Sequence, residues 1–116
     1  KDNHLALGGG AVVAAVAEAR AAWPALPLEI ECRTLAEVAA AVDACPDLIL
    51  LDNMDLDGLR AAVALVAGRV PLEASGGIGP DDLPAVAATG VDFVALGCLT
   101  HSAPAVDIHL KLEPVA

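Results

Sequence analysis

The chain has 116 residues, 57% of them hydrophobic, and it contains one Phe, one Trp and no Tyr. Its 16 acidic and 6 basic residues give a formal net charge of −10, which would repel nucleic acids and anionic membranes. A complete eight-stranded β/α barrel needs about 200 to 250 residues, so the length excludes a whole barrel. The longest stretch without Asp, Glu, Lys, Arg or His, residues 5–17, is shorter than the roughly 18 apolar residues that suggest a membrane span.

The first residues are polar and are followed by three glycines at positions 8–10. These glycines lack both a preceding strand and the GxGxxG spacing, so they do not predict a dinucleotide site. A helix is predicted from about residue 11 to residue 23, where Pro24 ends it. The chain opens at Lys1 without an initiator Met or the features of a signal peptide. We therefore expect a cytoplasmic protein and a chain that is part of a longer one.

Four apolar runs follow, at residues 28–32, 48–52, 70–74 and 91–97, and segments with helical periodicity separate them. Glu31, Asp52 and Glu73 lie in or at the end of the first three runs, with 21 residues from each acid to the next. That spacing fits one strand plus one helix, so the pattern predicts right-handed parallel βαβ units. Residues 106–112 are predicted to add a last short strand or helix.

The boundaries of the intervening helices are also marked. Thr34 and Glu37 match a capping box, in which a hydroxyl and a carboxylate accept hydrogen bonds from N–H groups at the helix start. The next helix is expected over residues 56–66, with Gly68 placed to end it. Pro80 predicts the first turn of another helix, which ends before Gly90. Four acids are assigned to helix starts, namely Asp55, Asp57, Asp81 and Asp82.

Glu31 and Asp52 are the first candidates for chemistry. In β/α barrels the strand-to-helix loops open at the carboxyl ends of the strands, where the active site lies. Acids at the ends of adjacent strands should converge there, where they can bind Mg²⁺ or stabilise a developing positive charge. Glu73 lies slightly earlier in its run. The alternative is that such acids are merely solvated or cap the next helix.

Ser75, Gly76 and Gly77 lie between a predicted strand and a predicted helix. Small residues at this place let backbone N–H groups approach an anion, so they predict a phosphate-binding turn. The next strand ends at Gly97 and is followed by Thr100, His101 and Ser102, so a second loop can donate to the same anion. Ordinary turn glycines and a loop histidine with a structural hydrogen bond are the alternatives.

Three cysteines are present, Cys32, Cys45 and Cys98. Their odd number and the lack of CxxC spacing argue against a disulfide framework and a zinc site. The sequence therefore predicts three packed thiols.

Five segments in order resemble the quinolinate phosphoribosyltransferase family: KDNH at 1–4, EIEC at 29–32, LLDNM at 50–54, EASGGI at 73–78 and GVDFVALGCLTHS at 90–102. The similarity spans essentially the entire chain. It implies an α/β fold, the C-terminal half of an irregular TIM-like β/α barrel of a type II phosphoribosyltransferase. Residues 1–116 would be the phosphoribosyl-binding part, without the family's N-terminal domain and without the first barrel strands.

The resemblance also implies an activity. The family transfers a phosphoribosyl group from phosphoribosyl pyrophosphate to quinolinate and removes one carboxylate. The products are nicotinate mononucleotide, carbon dioxide and pyrophosphate, formed with Mg²⁺ during NAD biosynthesis. The alternatives are a molybdenum-transport-associated paralogue of the same fold and a non-catalytic phosphate-binding half barrel.

The family's site residues can be matched to positions in this chain. Lys1 of KDNH would contact the substrates. Glu31 and Asp52 would face the ribose and the metal-bound pyrophosphate, with Mg²⁺ held partly through water and the pyrophosphate. The 5′-phosphate would be bound by Ser75, Gly76, Gly77, Gly97 and His101.

The arginines that bind quinolinate in the family lie upstream of KDNH. Of the six basic residues here, only Lys1 and Arg33 are expected at the mouth of the barrel, because the others fall on helix or tail surfaces. The others are Arg20, Arg60, Arg69 and Lys111. We therefore expect little turnover by the chain alone. Because a half barrel leaves open strand edges, we also expect a homo-oligomer.

Overall fold

Four parallel strands form one sheet, and they lie in the sheet in the same order as in the chain. A computed structural model describes residues 12–114. In chain order the elements are α1 (Val12–Ala22), β1 (Glu29–Cys32), α2 (Leu35–Ala44), β2 (Leu48–Asp52), α3 (Leu56–Val66), β3 (Leu72–Ser75), a 3₁₀ turn (Pro80–Asp82), α4 (Leu83–Ala87), β4 (Phe93–Val94) and a second 3₁₀ turn (Gly97–Leu99). The predicted α/β fold with parallel βαβ units is confirmed.

One face of the sheet is packed against the helices. Alternate residues along a strand point to opposite faces, and the buried set is Ile30, Cys32, Ile49, Leu51, Leu72 and Ala74. Helices α2 and α3 contribute Val38, Ala41, Val42, Leu59, Ala62 and Val66 to the same core. We call the other side of the sheet the open face. Its strand residues are Glu29, Glu31, Leu48, Leu50, Asp52, Glu73, Ser75 and Phe93, and none of them is buried.

The helices begin and end close to where the sequence predicts. Thr34 Oγ1 accepts a hydrogen bond from the Glu37 N–H at 3.2 Å, and the Glu37 carboxylate accepts one from the Thr34 N–H at 3.0 Å. Asp55 caps α3 by accepting from the Gly58 N–H at 2.7 Å. Helix α3 ends two residues before Gly68, which has a φ of +73°. The capping box and the glycine stop are therefore confirmed.

The other acids assigned to helix starts are also found there. Asp57 lies in the first turn of α3, and Asp81 and Asp82 belong to the 3₁₀ turn that precedes α4. The Asp82 carboxylate accepts a hydrogen bond from the Gly79 N–H at 2.9 Å. Among residues 12–114, no helix has the length and apolar character needed to cross a bilayer.

Two aspartates at the amino-terminal edge of the sheet form the same pair of bonds. The Asp47 carboxylate accepts from the Leu28 N–H at 2.7 Å, and the Asp47 N–H donates to the Leu28 carbonyl at 2.8 Å. Asp92 does the same with Leu72, at 2.8 Å and 3.0 Å. We call each two-bond arrangement an aspartate bracket. Each bracket ties the entry of one strand to the entry of its neighbour and so fixes their register.

The fourth predicted strand is wrong in extent. The run at residues 91–97 was expected to be a full strand, but β4 consists of Phe93 and Val94 only. Among the described residues β4 pairs only with β3, and the side chain of Phe93 is 56% exposed. On either side of these two residues the run is joined to β3 by single bonds, from the Asp92 N–H to the Leu72 carbonyl at 3.0 Å and from the Ala95 N–H to the Ala74 carbonyl at 2.9 Å.

The segment at residues 106–112 forms neither the predicted strand nor a helix. Its apolar residues alternate with polar ones, which is the pattern of a half-buried strand. Their side chains are all at least 80% exposed, at Val106, Ile108, Leu110 and Leu112. The alternating pattern is present, but these side chains are not packed against the rest of the described residues.

A substitution at the first bracket should change stability in a pH-dependent way. The Leu28 N–H first, and then Arg20 at 3.0 Å, hold the pKa of Asp47 below its ordinary value. A lowered folded-state pKa stabilises the fold above the unfolded pKa of about 3.9 and loses that effect as the pH falls through the folded value. We expect Asp47→Asn to lower the melting temperature by a few degrees at pH 6, and the difference should shrink below about pH 4.

Circular dichroism melts between pH 3 and pH 7 test this expectation. Asp107→Asn makes the same charge change in the exposed segment and serves as the control. An equal decrease in melting temperature in both variants would show that the bracket does not depend on the charge of Asp47. A decrease in Asp47→Asn that does not change with pH would show the same.

Candidate active site

Glu31 and Asp52 meet at the carboxyl edge of the sheet through a shared cation. They lie on the adjacent strands β1 and β2 and both belong to the open face. Arg33, just after β1, places its Nε 2.9 Å from Asp52 Oδ2 and one Nη 3.4 Å from Glu31 Oε1. The prediction that these two acids converge is therefore supported by the geometry, and Arg33 lies at the mouth as expected.

The two acids are well shielded for surface carboxylates. Their side chains are 16% and 14% exposed, whereas that of Arg33 is 54% exposed. Partial removal of water strengthens the attraction between a carboxylate pair and a cation placed between them. The edge of the sheet at Glu31 and Asp52 is thus a place where positive charge is favoured.

This pair supplies oxygen ligands but not a complete metal cage. Within residues 12–114, no group of three or more His, Cys, Asp or Glu side chains is arranged to hold a metal ion. Mg²⁺ commonly takes one or two carboxylates and completes its shell with water and substrate phosphates. Glu31 and Asp52 are oxygen ligands of that kind, and Mg²⁺ binding by them stays a prediction.

A third acid lies in the same row of the open face. Strand pairing aligns Glu31 with Leu50, and Leu50 with Glu73. Burial raises the pKa of the Glu73 carboxyl, and the nearby Glu29 carboxylate raises it further. Leu50 thus lies between two acids in this row: Glu31, which contacts Arg33, and Glu73, which has another carboxylate nearby.

The predicted phosphate-binding turn lies beside Asp52. Ser75 is aligned with Asp52 in the pairing of β2 with β3, and Gly76 and Gly77 follow it with φ of +99° and +63°. A Cβ on Gly76 would come within 2.4 Å of Asn53 Oδ1, whereas a Cβ on Gly77 would meet nothing within 4 Å. The turn is therefore open at Gly77, where an anion would have space to approach. At position 76 a glycine is needed, because a side chain would collide with Asn53.

Asn53 is the site residue that the sequence analysis left without a role. It lies within the LLDNM segment, but no spacing rule distinguishes it from an ordinary loop residue. Its φ of +54° lies in the left-handed region, which Asn adopts more readily than most residues. Its contacts are visible only in three dimensions.

The second predicted loop follows β4, the neighbour of β3. Gly97 opens the second 3₁₀ turn, and its carbonyl accepts hydrogen bonds from the N–H groups of Thr100 at 3.0 Å and His101 at 2.9 Å. The His101 ring lies against Gly97, where a Cβ would be 2.5 Å from Nε2, and its Nδ1 is 3.0 Å from Ser102 Oγ. Gly97 and His101 thus form one folded unit at the same edge as the Ser75 turn.

Lys1, the remaining predicted site residue, lies outside the described residues. Each of the other basic side chains has partners other than Glu31 and Asp52. Arg20 pairs with Asp47, Arg60 with Asp57, Arg69 with carbonyls at the end of α3, and Lys111 with Glu113.

The cysteines differ more than the sequence predicts. Cys32 is buried beneath the site, Cys45 is exposed and Cys98 is half-buried. The prediction of three packed thiols is therefore wrong. Cys45 ends α2 in a left-handed conformation with a φ of 51°, and this places it outside the core. Burial raises the pKa of Cys32 to about 12, and the carboxylates of Glu37 and Glu31 add to the shift. Cys32 is therefore a protonated core residue at neutral pH.

Comparison with known proteins gives consistent matches. Residues 1–111 match the family model described as quinolinate phosphoribosyl transferase, C-terminal domain. Carboxylating nicotinate-nucleotide pyrophosphorylase from Mycobacterium leprae is 44% identical over 115 residues, which cover 97% of this chain and 40% of that protein. The human protein of the same name is 40% identical over 115 residues, which cover 97% of this chain and 39% of the human protein.

A solved structure agrees with these matches. The nicotinate-nucleotide pyrophosphorylase from Francisella tularensis has a TM-score of 0.77 at 34% identity, and the match covers 83% of this chain and 35% of that chain. The chain thus spans about 40% of the length of the curated relatives it matches.

The two glycines of the turn should differ in their tolerance of a side chain. Gly77→Ala has space for its Cβ, so it should cost only the left-handed conformation, about 1 to 2 kcal/mol. Gly76→Ala adds a steric conflict with Asn53, including its backbone nitrogen at 2.8 Å, and should cost roughly 3 kcal/mol or more. Urea unfolding of the two variants measures the difference, and equal losses would contradict the close contact between Gly76 and Asn53.

Proposed function

The chain belongs to the quinolinate phosphoribosyltransferase family, and on this premise we propose that it forms the phosphoribosyl-binding part of an enzyme of NAD biosynthesis. The reaction transfers a phosphoribosyl group from phosphoribosyl pyrophosphate to quinolinate. It yields nicotinate mononucleotide, carbon dioxide and pyrophosphate. The matches to carboxylating pyrophosphorylases favour this reaction over that of a molybdenum-transport-associated paralogue.

The cation held between the two strand-end acids is the main support for this proposal. The Arg33 guanidinium contacts Asp52 at 2.9 Å and Glu31 at 3.4 Å. Loss of pyrophosphate from the donor leaves positive charge on the ribose ring, shared between C1′ and the ring oxygen. Preorganised carboxylates lower the energy of such a transition state without any covalent bond to the protein. A position that already attracts a guanidinium suits that developing charge.

Glu31 and Asp52 are also the residues proposed to hold Mg²⁺, partly through water and the pyrophosphate. When bound, Mg²⁺ would neutralise negative charge on the departing pyrophosphate. The protein residues contribute by orienting the donor and by restricting water at the two shielded carboxylates.

The anionic end of the donor is proposed to lie at the two neighbouring loops. The net charge of −10 repels anions, so binding of a phosphate depends on local donors. The turn at Ser75, Gly76 and Gly77 offers backbone N–H groups, and the unit formed by Gly97 and His101 adds a second loop. Lys1 is proposed to contact the substrates as it does in the family.

Decarboxylation requires little additional chemistry from this part of the protein. Once ribosylated, the pyridine nitrogen is positively charged, so it stabilises the electron pair that stays on the adjacent ring carbon when the carboxylate leaves as carbon dioxide. That carbon then takes a proton, which solvent water can supply. The protein needs only to orient the intermediate.

Binding of quinolinate is proposed to need residues beyond this chain. Quinolinate carries two carboxylates, and among the described residues Arg33 is the basic side chain at the mouth. We therefore expect residues 1–116 alone to bind the phosphoribosyl donor weakly and to turn over little quinolinate.

Activity can be tested in a chimera that joins the preceding portion of the Mycobacterium leprae relative to this chain. We expect the chimera to form nicotinate mononucleotide in a quinolinate-dependent and Mg²⁺-dependent reaction, with little product from the chain alone. Asp52→Asn or Glu31→Gln should lower kcat roughly 100-fold, because each removes a carboxylate from the transition state.

Asp57→Asn is the matched control, because it removes the same charge from an exposed side chain that pairs with Arg60 on α3. Its kcat should stay within about twofold of the parent value. A folded chimera that makes no product would refute the proposed function, and strong activity from the chain alone would refute the need for further residues.

We also propose that the chain forms homo-oligomers. Within residues 12–114 no helix is packed on the open face, and Trp23, Leu26 and Phe93 are 63%, 59% and 56% exposed. Large exposed apolar groups beside unpaired strand edges favour association. Light scattering at micromolar concentration should give a mass above that of one chain, and a clean monomer would contradict the proposal.

A further inference from the structure

Asn53 links the two halves of the site described above. It follows Asp52 directly at the end of β2 and lies against the turn after β3. We propose that Asn53 is a positioning residue that holds the Asp52 carboxylate and the phosphate-binding turn in one fixed arrangement. This inference rests on the proposed function, because it assigns Asn53 a task in that same site.

The first contact is with the acid. Asn53 Nδ2 donates to Asp52 Oδ1 at 2.8 Å, while Arg33 Nε donates to Asp52 Oδ2 at 2.9 Å. Each carboxylate oxygen therefore has its own donor. Two donors on different oxygens fix the rotation of the carboxylate as well as its position, and charged acceptors make such bonds stronger than neutral ones.

The second contact is with the backbone of the next loop. The Asn53 N–H donates to the Ser75 carbonyl at 2.9 Å, which continues the pairing of β2 with β3 beyond the last aligned residues. The side chain then lies over Gly76, where a Cβ would be 2.4 Å from Oδ1 and 2.8 Å from the Asn53 nitrogen. The turn can approach this closely only because position 76 has no side chain.

The backbone of Asn53 makes both contacts possible. Its φ of +54° is in the left-handed region, which Asn and Gly adopt at a lower cost than other residues. In this conformation the residue ends β2 while its amide reaches Asp52 and its N–H still faces Ser75. A displacement of the turn must therefore move Asn53, and a displacement of Asn53 must disturb Asp52.

Asn53→Gly tests the inference because glycine keeps the left-handed backbone and removes only the amide. The probes are inorganic phosphate for the turn and Mg²⁺-pyrophosphate for the acids, with binding measured by calorimetry on the full chain. We expect Asn53→Gly to weaken both probes by about tenfold, the loss expected for one hydrogen bond to a charged group. Asp52→Asn should weaken Mg²⁺-pyrophosphate and leave inorganic phosphate unchanged.

Asp55→Ala separates positioning from general loss of stability. Asp55 caps α3 in the same loop but contacts neither Asp52 nor Gly76 in the bonds described, so its loss should lower the melting temperature without changing the affinity for either probe. If Asn53→Gly weakens only one probe, or if Asp55→Ala weakens both equally, the inference is overturned.

Amide hydrogen exchange decides the inference independently of ligand binding. If the unaltered chain binds neither probe, the proposed function of this site is wrong. Exchange of the residue 53 N–H, which donates to the Ser75 carbonyl at 2.9 Å, relative to its intrinsic rate still reports whether the turn is held. Exchange about tenfold faster in Asn53→Gly than in Asp55→Ala would support the positioning role. Equal exchange in the two variants would overturn it.

Discussion

The parallel pairing of β1, β2 and β3 determines where Glu31, Asp52 and the turn at Ser75 lie. Because all strands run in the same direction, their carboxyl ends meet at one edge, and Glu31, Asp52 and Ser75 arrive there on the same face. A shift of one residue in either pairing would move an acid from the open face into the core against α2 and α3. The chemistry of the edge therefore depends on backbone register before it depends on any side chain.

The sequence was sufficient to predict the pattern that recurs along the chain. The spacing of Glu31, Asp52 and Glu73 follows from one strand plus one helix, and the strand ends were located closely because acids and glycines interrupt apolar runs there. The capping box at Thr34 was predictable because it depends on local residues only. Local rules and periodicity thus determine the elements and place two acids at the same edge.

Other features depend on contacts between distant parts of the chain, and no spacing rule reports them. The role of Gly76 is an example, because its turn appeared to serve an anion but Asn53 occupies the space a side chain would need. The short β4 is another, since apolar composition does not reveal whether a strand has a second neighbour. Lys1 lies outside the described residues, so its role remains a prediction from family resemblance.

The aspartate brackets at Asp47 and Asp92 bear on how such a sheet can be assembled from repeated parts. Each bracket joins the entries of two consecutive strands, so the alignment of a strand pair is specified within its own βαβ unit. Duplication or recombination of whole units would preserve that alignment in a new setting. A single inserted residue between Asp47 and β2 would instead exchange the two faces of the strand, exposing Leu51 and burying Asp52. Units of this kind tolerate shuffling as blocks but not small insertions at their strand entries.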